Sequence, residues 1–98
     1  TYGSSATKRK IYLGKVTNYF TRLGVAEIKL ETGDLKAGDE LLITGPSTGL
    51  VRQPVTGLRD ASGNEVVIIP RGEVCSIKTG EKVRRSDRVF RWIDASEL

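Results

Sequence analysis

Histidine is absent from this 98-residue chain, and so is methionine. The first absence removes the commonest general base and the commonest metal ligand at neutral pH, so a self-sufficient hydrolase is not expected. The second absence means that either the first residue was removed or this is a piece cut from a longer protein, and the piece is the favoured reading. A single cysteine, Cys75, excludes an internal disulfide and any metal site built from several thiolates, and it fits a reducing, cytoplasmic setting. No apolar run approaches the ~18 residues that a membrane-spanning helix needs, and no signal peptide or anchor is visible, so no membrane partner is expected.

What is present is the composition of one soluble domain, 38% hydrophobic and 29% charged. A chain of this size buries only about 60–65% of its unfolded surface, enough for one core and no second lobe. The net charge of +4 permits an acidic partner such as RNA, although a small excess of cations is also common on plain solvated surfaces.

The most informative stretch runs from Gly24 to Ile43. Ala26, Ile28 and Leu30 alternate with Val25, Glu27 and Lys29, the period of a half-buried strand. Leu41 and Ile43 repeat that alternation against Glu40 and Leu42. Between the two strands, Leu35 stands alone in a polar connection, and it is expected to plug the core. Gly33 and Gly38 can take left-handed backbone angles there, and Asp39 can accept backbone N–H bonds that hold the turn.

Around this stretch the punctuation is that of short strands. Residues 1–9 are small and polar and run into Lys8-Arg9-Lys10, a linker or tail. Ile11 to Phe20 is a strand with a bulge or close backbone approach at Gly14, and it turns through Thr21–Gly24 into Val25–Leu30 as a hairpin. Thr44–Gly49 is turn chemistry without the Gly-Lys-Ser/Thr ending or following helix of a phosphate loop. Leu50–Leu58 reads as a strand whose Pro54 belongs at an edge or a bulge. Val66–Ile69 reads as a short apolar run buried on both sides, and Val74–Lys78 as a strand with Cys75 and Ile77 on one face. Asp94 could cap a helix of at most one turn, and residues 94–98 form a C-terminal tail.

The last segment echoes the middle one. Leu35-Lys36-Ala37-Gly38-Asp39-Glu40-Leu41-Leu42 aligns with Val83-Arg84-Arg85-Ser86-Asp87-Arg88-Val89-Phe90. Two related strand-entry turns in one short chain point to a single closed barrel, since a solenoid needs at least three units. Ser86 stands where the first copy has Gly38, so the second turn is expected not to depend on the left-handed angle. No helical period of ten residues or more occurs. The expected fold is therefore all-β: a small, closed, six-stranded barrel over residues 10–93.

These motifs carry a resemblance. Gly14-x-Val16, Gly24-Val25-Ala26, Gly33-x-Leu35-Lys36-x-Gly38-Asp39-x-Leu41 and Val83-x-x-x-Asp87-x-Val89, in that order, resemble the second domain of translational GTPases such as elongation factor Tu. The set is similar, more closely still, to the C-terminal barrel of the collagenase-like peptidases of family U thirty-two, whose entry strands look like Val16 to Leu30 here. The resemblance implies a barrel appended to a larger, N-terminal catalytic domain that would be this chain's partner. That family is described as peptidase-like, its members are linked to RNA or tRNA modification, and some hold iron–sulfur clusters. One cysteine cannot bind a cluster, so no cofactor is expected, and no catalytic residue carries over.

Three readings of function remain. An accessory barrel could engage RNA, tRNA included, through Lys82, Arg84, Arg85, Arg88 and Arg91, with Phe90 and Trp92 interleaved. Strand alternation limits that set: Arg88, Phe90 and Trp92 share one face, while Val89, Arg91 and Ile93 share the other. Alternatively the module is structural, packing on its own catalytic domain or on a second copy through an apolar patch that includes Val25 or Leu42. Catalysis by this chain is the third and weakest reading. Ser47, Thr48, Ser62, Ser76 and Ser86 offer hydroxyls, with no imidazole to activate them.

Overall fold

The computed structural model describes residues 8–94, and everything below concerns those residues. All regular structure in them is β. The backbone folds around strand β1 (Lys8–Phe20), which at 13 residues is long enough to serve two neighbours. Its first part pairs antiparallel with β9 (Arg88–Asp94), and its second part with β2 (Val25–Leu30). Register shifts between Tyr12 and Gly14 on one side and between Val16 and Asn18 on the other bend it between the two partners. The irregularity expected at Gly14 thus lies at the point where β1 passes from one partner to the other.

Six further strands complete the sheet pattern: β3 (Leu35–Lys36), β4 (Glu40–Gly45), β5 (Gly49–Pro54), β6 (Arg59–Asp60), β7 (Ile68–Ile69) and β8 (Val74–Lys78). Seven of the nine form one sheet in the order β5-β4-β9-β1-β2-β8-β6, and β3 pairs with β7 as a separate two-stranded ribbon. The ladder does not close into a six-stranded barrel. Instead its ends meet through isolated bonds. The Lys78 amide donates to the Thr56 carbonyl at 3.0 Å. The Gln53 side chain donates through Nε2 to the Lys78 carbonyl at 2.7 Å and accepts the Gly80 amide at 3.1 Å. A side-chain amide carries the same donor and acceptor as a peptide unit, so Gln53 does the work of one missing ladder step.

The interior is a single apolar cluster. Leu13, Val16, Ala26, Ile28, Leu30, Leu35, Leu41, Ile43, Ile69, Ile77 and Val89 are all within 2% of complete burial, and Leu35 is fully enclosed. The alternation in β2, β4 and β8 delivers these residues inward, including Cys75 and Ile77 on one face. Burial pushes the Cys75 thiol up to about 12.

Several local expectations are corrected. The run Val66–Ile69 is not buried on both sides. Val67 is 75% and Ile68 46% exposed, because only a two-residue strand forms there and it pairs with Leu35 and Lys36 at the edge of the fold. The strand read over Leu50–Leu58 spans Gly49–Pro54 instead, while Pro54 does lie on an edge strand, as expected. Lys8 and Arg9, read as linker, belong to β1, and Lys8 pairs with Asp94. Asp94 closes a strand rather than capping a helix, with the Lys8 ammonium 3.4 Å from its carboxylate.

Candidate functional site

The repeated turns come first, because they fix where β4 and β9 begin. In the first, Asp39 accepts the Lys36 amide on Oδ2 at 3.0 Å while its own amide donates to the Lys36 carbonyl at 3.1 Å. In the second, Asp87 accepts the Arg84 amide at 2.8 Å and donates to the Arg84 carbonyl at 3.1 Å. Leu35 and Val83, the apolar residues that open the two copies, are both fully buried. Gly38 has φ 91° and Ser86 φ 75°, so the serine does adopt the left-handed angle that it was expected to avoid. The hydrogen-bonded turn imposes that angle whichever residue occupies the position. Gly33 is not among the glycines with positive φ, and the expectation of a left-handed angle there is withdrawn.

Asp87 is 3% exposed, and the Thr48 hydroxyl also donates to its carboxylate, which ties the Thr44–Gly49 turn to the second copy. Asp39 is more open. Arg91 lies beside it, with guanidinium nitrogen 3.9 Å from the Asp39 carboxylate and 3.8 Å from that of Asp34.

That placement splits the five cations singled out in the sequence. Arg91 stands opposite Leu41, on the core side of the sheet, where it braces the first turn. Arg88 is exposed and lies opposite Lys15 and Thr44. Lys82, Arg84 and Arg85 are exposed in the segment leading into β9. Among the described residues, no salt bridge engages Lys82, Arg84, Arg85 or Arg88.

The outer face of β5-β4-β9-β1 gathers residues that the pattern of single strands does not connect. Directly opposed partners share a face, and the registers run Arg52–Leu42–Phe90–Tyr12 across the four strands, with Lys10 opposite Trp92. Lys10 Nζ sits 4.7 Å from the Phe90 ring centre, and the Arg52 guanidinium carbon 5.8 Å from that of Trp92. Each such contact contributes about 0.5–1 kcal/mol at an accessible site. Tyr12 meets Phe90 edge-on at 5.7 Å and donates its hydroxyl to Glu31 at 2.9 Å. Partial burial, then the Glu31 carboxylate, raise the Tyr12 pKa above its ordinary value. Arg52 also reaches Glu40 at 2.5 Å.

Leu42 is only 6% exposed yet lies outside the main core, so it is not the bare apolar patch that a purely structural module would offer. The Trp92 indole Nε1 is buried and has no hydrogen-bond partner among the described residues. The signal available in the sequence was the period-two pattern of each strand. What tied Lys10, Tyr12, Leu42 and Arg52 together was the register between strands.

Among the described residues, no three histidine, cysteine, aspartate or glutamate side chains converge as metal ligands, and no helix is long and apolar enough to cross a membrane.

No protein-family profile matches the chain. Among curated proteins, the chain is 48% identical over 91 residues to a protein named Collagenase from Porphyromonas gingivalis, covering 93% of this chain and 22% of that protein. It is 39% identical over 88 residues to an uncharacterized protease of Methanocaldococcus jannaschii, covering 90% of this chain and 21% of that protein. The chain therefore spans about a fifth of the length of these relatives. Among solved structures, the C-terminal domain of a Geobacillus thermoleovorans protein assigned to the U32 peptidases superposes with TM-score 0.76 at 20% identity, over 83% of this chain and 91% of that one. Its selenomethionine variant gives 0.74, over 80% and 95%. The chain thus has the fold of a U32 peptidase C-terminal domain, and its sequence relatives carry the names collagenase and protease.

Proposed function

We propose that this chain is the non-catalytic C-terminal domain of a longer, cytoplasmic, collagenase-like peptidase of the U32 kind, and that it assists that protein by docking rather than by cleaving bonds. The observation that carries the reading is one of coverage. Similarity fills 93% of this chain but 22% of the relative, and the fold matches domains that are themselves C-terminal pieces. Lys8 and Asp94, the first and last described residues, are paired neighbours on adjacent strands, so the described part of the chain begins and ends side by side. Next to these two residues lies the aromatic face, where Tyr12, Phe90 and Trp92 are flanked by Lys10 and Arg52. We assign this face to contact with the catalytic part of the same protein. Because Gln53 joins the two ends of the sheet, we read it as a barrel of the translation-factor second-domain type.

The test compares the 98-residue chain, the longer protein from its reading frame, and that protein with this segment removed, using gelatin as substrate. The chain alone should not cleave gelatin. The longer protein should, and truncation should raise KM or lower its thermal stability. Turnover by the isolated chain overturns the proposal.

A second reading is favoured by one observation. The exposed Lys82, Arg84, Arg85 and Arg88, free of salt bridges among the described residues, lie in or lead into the strand that carries Phe90 and Trp92, a combination suited to single-stranded RNA. If four cations contact phosphates of a tRNA end, the log–log salt slope is about −3. An absent or salt-independent interaction with tRNA removes this reading.

A further inference from the structure

The other end of the molecule carries an open groove of about 680 Å³, on the outer side of β2, β8 and β6 beside the β1–β2 hairpin. Its rim is apolar. Phe20 is 40% and Leu23 69% exposed at the hairpin tip, and Val25 continues the rim onto β2. Its floor is a single cross-strand row, in which Glu27 faces Ser76 and Ser76 faces Arg59. A small hydroxyl residue thus lies between a carboxylate and a guanidinium, two strand spacings or about 10 Å apart.

Both charges are held in place but not neutralised. The Thr17 hydroxyl donates to Glu27 at 2.8 Å, and Arg59 donates to the Gly63 carbonyl at 2.9 Å. No salt bridge among the described residues engages either.

Its position separates this groove from the aromatic face. β1 runs from Lys8, paired with Asp94, to Phe20, at the rim of the groove. Twelve steps of about 3.3 Å make that roughly 35–40 Å once the bulges are allowed for, close to the longest molecular extent of 45 Å. The groove and the aromatic face are therefore separate surfaces, towards opposite ends of β1.

We infer that the groove is an exosite for a polypeptide in the polyproline II conformation, with an apolar side chain seated against Phe20 and Leu23 and a basic and an acidic residue three positions apart reaching Glu27 and Arg59. The spacing follows from geometry: a polyproline II chain advances about 3.1 Å per residue with three residues per turn, so residues i and i+3 share one face and span about 9–10 Å, the distance between the two charges. The volume of about 680 Å³ falls in the range of sites that take a small ligand or a few side chains. The inference rests on the peptidase reading, because a protein that acts on polypeptides has a use for a site that holds a stretch of chain.

The test uses the 98-residue chain, isotopically labelled, titrated with a blocked octapeptide that carries lysine and glutamate three positions apart around a leucine. Amide shifts should cluster at Phe20, Leu23, Glu27, Arg59 and Ser76. A control peptide with two glutamates should bind at least fivefold more weakly. Ser76→Trp, which fills the floor, should abolish the shifts, and Arg59→Glu should reverse the preference in favour of a peptide with two lysines. No shifts at millimolar peptide, shifts confined to the β5-β4-β9-β1 face, or indifference to both substitutions would each overturn the inference. Gelatin turnover by the longer protein is measured separately, so a failed peptidase reading and a failed exosite remain distinguishable.

Discussion

Gly45 and Asp87 approach so closely that a β-carbon at position 45 would stand 1.9 Å from Asp87 Oδ1. The carboxylate cannot swing aside, because it accepts from the Thr48 hydroxyl and the Arg84 amide. Gly45→Ala should therefore cost about 2–4 kcal/mol, from overpacking together with disturbance of a buried hydrogen-bonded group. For a domain of this size the melting temperature should fall by about 10–20 °C. A loss under 3 °C in a thermal melt would show that Asp87 is not fixed as described.

The two turns give opposite expectations for one backbone angle. Ser86, at φ 75°, bears the steric cost of the left-handed region, whereas Gly38, at φ 91°, does not. Ser86→Gly should stabilise the protein by about 0.5–1 kcal/mol, and Gly38→Ala should destabilise it by about 1 kcal/mol, with nothing near the new methyl to add to that figure. Urea titration of both variants checks the pair of signs.

Leu35 lies in a two-residue strand but is fully buried, while Val67 nearby in the fold is 75% exposed. Leu35→Ala should cost about 2–5 kcal/mol and Val67→Ala less than about 0.5 kcal/mol. Similar urea midpoints for the two would mean that Leu35 is not a core plug.

Gln53 joins the sheet's two ends by two hydrogen bonds. Gln53→Ala should cost about 1–2 kcal/mol. It should also speed hydrogen exchange at Gly80 more than in the β1–β2 hairpin, which is the readout that separates an opened seam from general loss of stability.

Cys75 gives a pH dependence. Its thiol is raised by burial from 9.0 to about 12, so the unfolded chain loses that proton at lower pH than the folded one. The stabilisation is complete below pH 9 and is lost as pH rises towards 12. Denaturant midpoints should decline across that window more steeply for the wild type than for Cys75→Ala, and thiol reagents at pH 8 should label the folded protein only after unfolding.

Much of this architecture was legible in the residues. The alternation of Ala26, Ile28 and Leu30 placed β2 with its buried face, and the paired Leu35–Asp39 and Val83–Asp87 motifs located two equivalent turns, because both signals depend only on neighbours in the chain. The Val66–Ile69 run misled for a physical reason. Apolar character states that burial is favourable, while whether a partner strand arrives to cover the run depends on the rest of the fold.

The amino-acid sequence by itself determined the all-β class, the core face of each long strand and the aspartate-pinned turns, since local period and turn chemistry are written in consecutive residues. The tertiary structure alone decided the rest. Only strand register could set Lys10 over Phe90 and Arg52 over Trp92, withdraw Arg91 from the other cations to brace Asp39, and line up Glu27, Ser76 and Arg59 along one groove. Register is a relation between distant segments, fixed by how their buried faces pack together, and no single stretch of chain contains it.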